Sequence, residues 1–201
     1  MGRRRQRLNE QVGTQVREIN RWRWIPNALT FLRLLLIVPF AIALYHEEYR
    51  TALLVFVVAA LSDGFDGFLA RQFDWKSRVG AIADPLADKG LLITAYLILT
   101  LTGILPVWLF VLVLGRDLLI VGGALAFHYF IGRFEMAPSL LGKLNTLVQI
   151  AVVLAIVVYQ AGLPMPAWAL PCGIWLVTAT AVISGLHYTL VWARRAWQAT
   201  H

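Results

Sequence analysis

Cysteine is almost absent: Cys172 is the only thiol among 201 residues, so no intrachain disulfide can form and no multi-cysteine zinc or iron–sulfur site can be built. Charge is scarce as well. Charged residues make up 14% of the chain, against about 25% in an ordinary soluble domain. The four histidines (His46, His128, His187 and His201) are too scattered for a metal-ligating set, and they read as interfacial or tail residues. These shortages exclude a disordered protein, a coiled coil and a typical cytosolic enzyme. What fills the space is apolar: 59% of the residues are hydrophobic and the mean hydropathy is +0.69. The net charge is +7. In so apolar a chain this points to anionic lipid headgroups and not to nucleic acid. The composition is that of a membrane protein.

Residues 1–25 form a basic arm with seven arginines (Arg3, Arg4, Arg5, Arg7, Arg17, Arg21 and Arg23), ending at Trp22 and Trp24. A secretory signal would carry its apolar stretch earlier and end in a small-residue cleavage site. Glu10 and Glu18 weigh against an arginine-rich mitochondrial presequence. The arm reads as a cytoplasmic, juxtamembrane segment with its tryptophans at headgroup level. Residues 26–201 form the second region.

Six apolar segments occupy that region, at 27–45, 51–71, 79–103, 106–131, 139–160 and 166–193. Each reaches the roughly 20 residues that span about 30 Å of hydrocarbon. The expected fold is an all-α integral membrane protein of six transmembrane helices. Six crossings put both termini on one side, and the basic residues say which. Fourteen of the 18 lysines and arginines fall in the arm, the 2–3 and 4–5 connections and the tail, while Arg50 stands alone on the other face. Positive charge stays inside, so the N- and C-termini are expected in the cytoplasm. The tryptophans, including Trp75, Trp108, Trp168, Trp192 and Trp197, lie near span ends and read as interface anchors.

Five acids fall within or beside these apolar spans: Asp63, Asp66, Asp84, Asp88 and Asp117. A charge at a bilayer centre costs about 2.5–3.5 kcal/mol on insertion scales, which makes each a functional candidate. Asp63 and Asp66 are three residues apart, Asp84 and Asp88 four apart, so each pair shares a helix face. Counted from Arg71 and Arg78, they sit roughly 10–15 Å below the cytoplasmic surface, near the glycerol depth of a phospholipid. Gly67, Ala70 and Gly80 leave room beside them for a helix or a ligand. Pro85 either kinks the third helix or marks its first turn. Four crowded carboxylates repel one another unless cations intervene, and two divalent ions would balance them. Hard oxygen donors with no histidine or thiol nearby favour Mg²⁺ or Mn²⁺, ions that commonly share their sites with substrate phosphates. A transporter's proton relay or sodium site uses buried acids too. Arg71, Gly67 and Gly80, interleaved with the carboxylates, tilt the reading toward catalysis.

Read continuously, Asp63–Lys89 is DGFDGFLARQFDWKSRVGAIADPLADK. It resembles the motif of the CDP-alcohol phosphotransferases, D-x2-D-G-x2-A-R-x8-G-x3-D-x3-D, at every fixed position: Asp63, Asp66, Gly67, Ala70, Arg71, Gly80, Asp84 and Asp88. The stretch from Pro26-Asn27 to Arg33 also looks like that family's first-helix entrance. The resemblance covers helices 1 to 5. It implies a six-helix membrane enzyme, usually a homodimer, with its site open to the cytoplasm. By similarity, Asp63, Asp66 and Asp84 are metal ligands, holding two ions of Mg²⁺ or Mn²⁺. Asp88 is the general base and also touches metal. Asp66, Gly67, Ala70, Arg71 and Gly80 hold the CDP-lipid. The implied reaction moves a phosphatidyl group from CDP-diacylglycerol to a phospholipid or small alcohol acceptor, releasing CMP.

The acceptor rests on weaker signals. DPLADK, Leu105-Pro106-Val107-Trp108, Gly115-Arg116-Asp117 and Gly142-Lys143-Leu144-Asn145-Thr146 look most like the CMP-forming cardiolipin synthases, whose acceptor is phosphatidylglycerol. The alternative is glycerol 3-phosphate, the acceptor of phosphatidylglycerophosphate synthases, which more usually show Arg-Glu in place of Arg116-Asp117. Arg116, Asp117, Lys143 and Arg33 are the candidate acceptor-binding residues, Arg116 through a bidentate grip on phosphate. The competing readings are that Arg116 and Asp117 pair with other buried groups, that Lys143 snorkels to the interface, and that Arg33 is a structural partner for the acids. Outside this class stand a cation or proton transporter and a noncatalytic relative acting through its basic face. The expected location is the bacterial plasma membrane, ahead of the mitochondrial inner membrane.

Overall fold

The computed structural model describes residues 25–73, 78–130 and 139–200. The arm expected over 1–25 therefore lies, but for Ile25, outside the described residues. Six α-helices and no strand are present among them: α1 Ile25–Tyr45, α2 Tyr49–Phe73, α3 Arg78–Leu101, α4 Val107–Phe130, α5 Leu140–Gln160 and α6 Ala169–Thr200. Each coincides with one of the six apolar segments to within a few residues, apart from α6, which runs on through the basic tail. By length and composition, Leu140–Gln160 and Ala169–Arg194 are apolar enough to cross a membrane. Thr30–Tyr45, Tyr49–Ser62 and Lys89–Leu101 are apolar over shorter stretches.

Local chemistry sets the helix ends. Pro26 stands in the first turn of α1, where its missing N–H costs nothing. Three turns after helices close in the same way. After α1, the Glu48 N–H reaches the Ala43 carbonyl (2.8 Å) and the Glu47 N–H reaches that of Leu44 (3.2 Å). Ile104 and Gly103 bond back to Leu99 and Thr100 after α3, and Leu163 and Gly162 to Val158 and Tyr159 after α5. This pairing requires one left-handed residue, filled by Gly103 (φ 78°) and Gly162 (φ 98°) but by Glu47 (φ 61°) after α1. The N-terminus of α5 is capped by Ser139, whose hydroxyl accepts the Gly142 N–H at 3.0 Å.

The chain divides into two compact units, each with its own core. The first holds residues up to Phe40 and Leu54–Leu91. In it Phe40 and Phe56 are buried with ring centroids 5.8 Å apart. A methyl group at Gly90 would come within 2.9 Å of Ile37 Cδ1, so α1 and α3 approach closely there. The second unit holds Ala41–Leu53 and Leu92–His201. There α6 packs on both α4 and α5. The buried stripe of α5 runs Asn145, Val148, Gln149, Val152, Val153, Ile156, Val157, a single face in which each residue has partners three or four positions away. Small residues on α6 let the helices close: a methyl at Gly173 would sit 3.2 Å from Val152. Gly123 on α4 lies flush under the Trp192 indole, where any Cβ would overlap the ring. Large apolar side chains such as Leu54, Trp168, Trp175 and Leu190 stand exposed on the outside.

Candidate functional site

The acidic motif falls on two consecutive helices of the first unit. Asp63, Asp66, Gly67, Ala70 and Arg71 belong to α2; Gly80, Asp84 and Asp88 belong to α3. Because α2 is helical throughout, Asp63, Asp66, Gly67 and Ala70 share one face at steps of three and four. Gly80, Asp84 and Asp88 recur every four residues along α3 in the same manner. The side chains of these eight residues lie outside the described residues. Pro85 lies inside α3, which starts at Arg78, so Asp84 is a helical residue and not one preceding the first turn. Arg33, on α1, belongs to the same unit and is 2% exposed. It is engaged by neighbouring groups, as are Thr30 and Lys89. The four acids expected to hold metal, Asp63, Asp66, Asp84 and Asp88, thus fall on two helices of one unit.

Arg116, Asp117 and Lys143 belong to the second unit. Arg116 is only 7% exposed. Its Nη1 donates to Asp117 Oδ1 at 2.7 Å, and its Nη2 donates to the Ser184 hydroxyl on α6. The guanidinium carbon also lies 5.9 Å from the centroid of the Tyr188 ring. The Tyr188 hydroxyl in turn accepts the Ser139 N–H at 3.2 Å, tying α6 to the start of α5. Arg116 thus meets the acid next to it in the chain, a pairing not weighed from sequence, and also Ser184, a buried group of another helix. It keeps an Nε–H without a partner among the described residues. Lys143, by contrast, is exposed.

Sequence reasoning missed several members of this cluster. Ser184, Tyr188 and Gln149 attracted no attention, and Asn145 entered only as part of a motif. Gly142, where a methyl would lie 3.4 Å from Arg116 Nη2, shares a face of α5 with Asn145 and Gln149. Polar residues at that helical spacing inside an apolar span were the available signal. His187 is half-buried on α6, its ring edge-on to Tyr188 with centroids 5.9 Å apart. Elsewhere in this unit a cavity of about 320 Å³ opens among Ile104, Val152, Ile156, Tyr159, Met165 and Leu170. It is apolar and far along α5 from Arg116.

Residues 23–191 match the family model described as CDP-alcohol phosphatidyltransferase. The chain is 32% identical over 183 residues to a cardiolipin synthase (CMP-forming) / mitochondrial hydrolase fusion protein of Schizosaccharomyces pombe, covering 83% of this chain and 30% of that protein. It is 36% identical over 171 residues to a probable phosphatidylglycerophosphate synthase of Mycobacterium tuberculosis, covering 82% and 79%. A CDP-diacylglycerol–glycerol-3-phosphate 3-phosphatidyltransferase of Bacillus subtilis is 27% identical over 183 residues, covering 82% and 92%. These names agree on phosphatidyl transfer and divide over the acceptor.

Proposed function

The chain belongs to the CDP-alcohol phosphatidyltransferase family, and from that premise we propose that it makes cardiolipin by transferring a phosphatidyl group from CDP-diacylglycerol to phosphatidylglycerol. The observation that carries the reaction is the complete set of eight motif positions, Asp63 to Asp88, on two consecutive helices of one unit. Asp63, Asp66 and Asp84, with Asp88 at their edge, would hold two Mg²⁺ or Mn²⁺ ions, which offset diphosphate charge and polarise its phosphorus. Arg71 neutralises a phosphate of the nucleotide, while Gly67, Ala70 and Gly80 leave room for the CDP group beside the carboxylates. Asp88 takes the proton from the acceptor hydroxyl. That oxygen bonds to the lipid-side phosphorus, the bond from this phosphorus to the bridging oxygen breaks, and CMP leaves with the electron pair.

The six helices cross the bilayer with both termini in the cytoplasm, and the site faces that side. The basic arm and connections lie against anionic headgroups, and exposed apolar residues such as Leu54, Trp175 and Leu190 face lipid or a second copy in a homodimer. The bacterial plasma membrane is the location this reading favours. A second reading has specific support: the 36% identical M. tuberculosis relative is named for phosphatidylglycerophosphate synthesis, which would make glycerol 3-phosphate the acceptor here.

The test is a mass-spectrometric assay of purified protein with CDP-diacylglycerol and Mg²⁺ or Mn²⁺, offering the two acceptors separately. Cardiolipin with equimolar CMP from phosphatidylglycerol is the expected result. Phosphatidylglycerophosphate formed only from glycerol 3-phosphate would transfer the assignment to the second reading. Metal-driven ion flux in sealed vesicles without CMP release would replace both with a transporter.

A further inference from the structure

The apolar cavity of the second unit lies at the far end of α5, and nothing in the proposed reaction uses it. Its lining runs along α5 from Val152 to Gln160, the last residue of the helix, a length of about 12 Å. Val152 and Ile156 at the inner end are buried, while Tyr159, Pro166 and Ala167 at the outer end are exposed, so the cavity is open on one side. The inner end closes at Gly173, where even a methyl group would press on Val152 at 3.2 Å. Ile104, Met165 and Leu170 add to the walls. The volume of about 320 Å³ is roughly twice that of an apolar cavity that stays dry and binds benzene. Water finds few polar partners along such walls, so an apolar chain is the filler that suits them.

The open end carries charge. Arg50 donates from Nε to the carbonyl of Ala161 at 3.4 Å, one residue past Gln160. The Gln160 side chain hydrogen-bonds the Tyr49 hydroxyl. The turn between α1 and α2 is thereby held against the cavity's outer end, and all of these residues belong to the second unit. Arg50 is exposed and forms no ion pair among the described residues, which leaves its terminal guanidinium nitrogens for a phosphate. Glu47 and Glu48, both exposed, stand three and two positions before it. A dry cavity with one cation and two carboxylates at its mouth matches an amphiphile of three parts: an apolar chain, a phosphate and an ammonium. A purely anionic headgroup would gain Arg50 but face both carboxylates, whereas one that bears phosphate and ammonium together is complementary to all three. We infer that the cavity holds one acyl chain of a phospholipid with an ammonium-bearing headgroup, its phosphate on Arg50 and its ammonium beside Glu47 and Glu48. With both termini in the cytoplasm, this lipid comes from the opposite leaflet. The inference rests on the membrane placement proposed above and not on the transfer reaction.

Native mass spectrometry of the full chain, released from bilayers of phosphatidylethanolamine and phosphatidylglycerol with matched acyl chains, tests this. Phosphatidylethanolamine is neither substrate nor product of the proposed reaction, so its retention is read apart from the catalytic site. Ala155 lines the cavity, and Ala155→Phe should fill it. The quantity read is the bound lipid that this variant loses relative to the wild type. Phosphatidylethanolamine should make up about two- to fivefold more of that loss than phosphatidylglycerol, the range of exposed ion pairs. Arg50→Gln should lower phosphatidylethanolamine retention by about the same factor, and the double variant Glu47→Gln/Glu48→Gln should erase its advantage over phosphatidylglycerol. A second measurement needs no variant to fold: phosphatidylethanolamine with a diazirine at the end of one acyl chain should crosslink to the wild type within residues 152–173. An Ala155→Phe variant that loses no lipid, equal loss of both lipids, or crosslinks confined to residues outside that range overturns the inference. So does a changed subunit number in Ala155→Phe with lipid retention intact, which would give the cavity to a second copy of the chain. A protein that stays monodisperse without detergent or lipid would remove the membrane placement, and the inference with it.

Discussion

Between Asp63 and Lys89 the polar residues arrive in one continuous run across the end of α2 and the start of α3. Around Arg116 they come from three helices, with Arg116 and Ser184 separated by 68 positions. The two regions also differ in how charge is balanced. The first carries four acids in its sequence, whose charge the proposed divalent cations would balance. In the second, Arg116 meets Asp117 at 2.7 Å and Ser184 beside it, so the protein supplies its own counter-charge. A group whose partners are present holds helices in place, and Arg116 is of this kind, joining α4 to α6.

Substitutions in the two regions should therefore fail differently. Asp88→Asn should lower turnover by about 10²–10⁴-fold, the usual contribution of a general base, while CDP-lipid binding and melting temperature stay near wild type. Near-normal turnover would remove Asp88 from that role. Arg116→Met should instead destabilise the fold, by about 3–5 kcal/mol, because it removes one partner of a buried ion pair, made at 2.7 Å with Asp117. The double variant Arg116→Met/Asp117→Asn should recover much of that loss in chemical denaturation, and a double variant no better than the single would show that the ion pair is not what Arg116 contributes. Arg71→Ala should weaken CDP-diacylglycerol binding about tenfold, the value of one charge-assisted contact, with little change in melting temperature. An unchanged titration would take Arg71 out of the nucleotide pocket. The smallest effect lies outside both regions. Glu47→Gly should stabilise by about 1 kcal/mol, because glycine occupies the left-handed turn after α1 without a Cβ penalty. A lower melting temperature in that variant would mean that the Glu47 side chain does more than tolerate its φ.

Much of this was legible in the sequence for physical reasons. The helices could be placed to within a few residues because long apolar runs are punctuated by Gly103, Gly162 and Pro106, each of which acts on its own local backbone. The acidic stripe was legible because residues three and four apart share a face whatever the helix packs against. The setting of Asp84 turned on Pro85, whose two open readings, a kink or a first turn, differ in where α3 begins; it begins at Arg78. The Arg116 cluster was hidden because helices apolar on nearly every side carry little periodic signal of which face turns inward. Leu176 and Val182 stand exposed on α6 while Val177 and Ala181 are buried, with no change of residue class between them.

The sequence by itself determined the family, the acidic run on α2 and α3 and the six helices found among the described residues. Each of these depends on composition or on spacing within one or two consecutive segments. Only the tertiary structure decided that Ser184 meets Arg116, that Tyr188 ties α6 to the start of α5, that Trp192 covers Gly123, and that Asn145 and Gln149 are buried. Those outcomes depend on the rotation of each helix about its own axis. In a chain this apolar, that rotation is set by shape and by a few distant polar contacts, and the hydrophobic pattern does not record it.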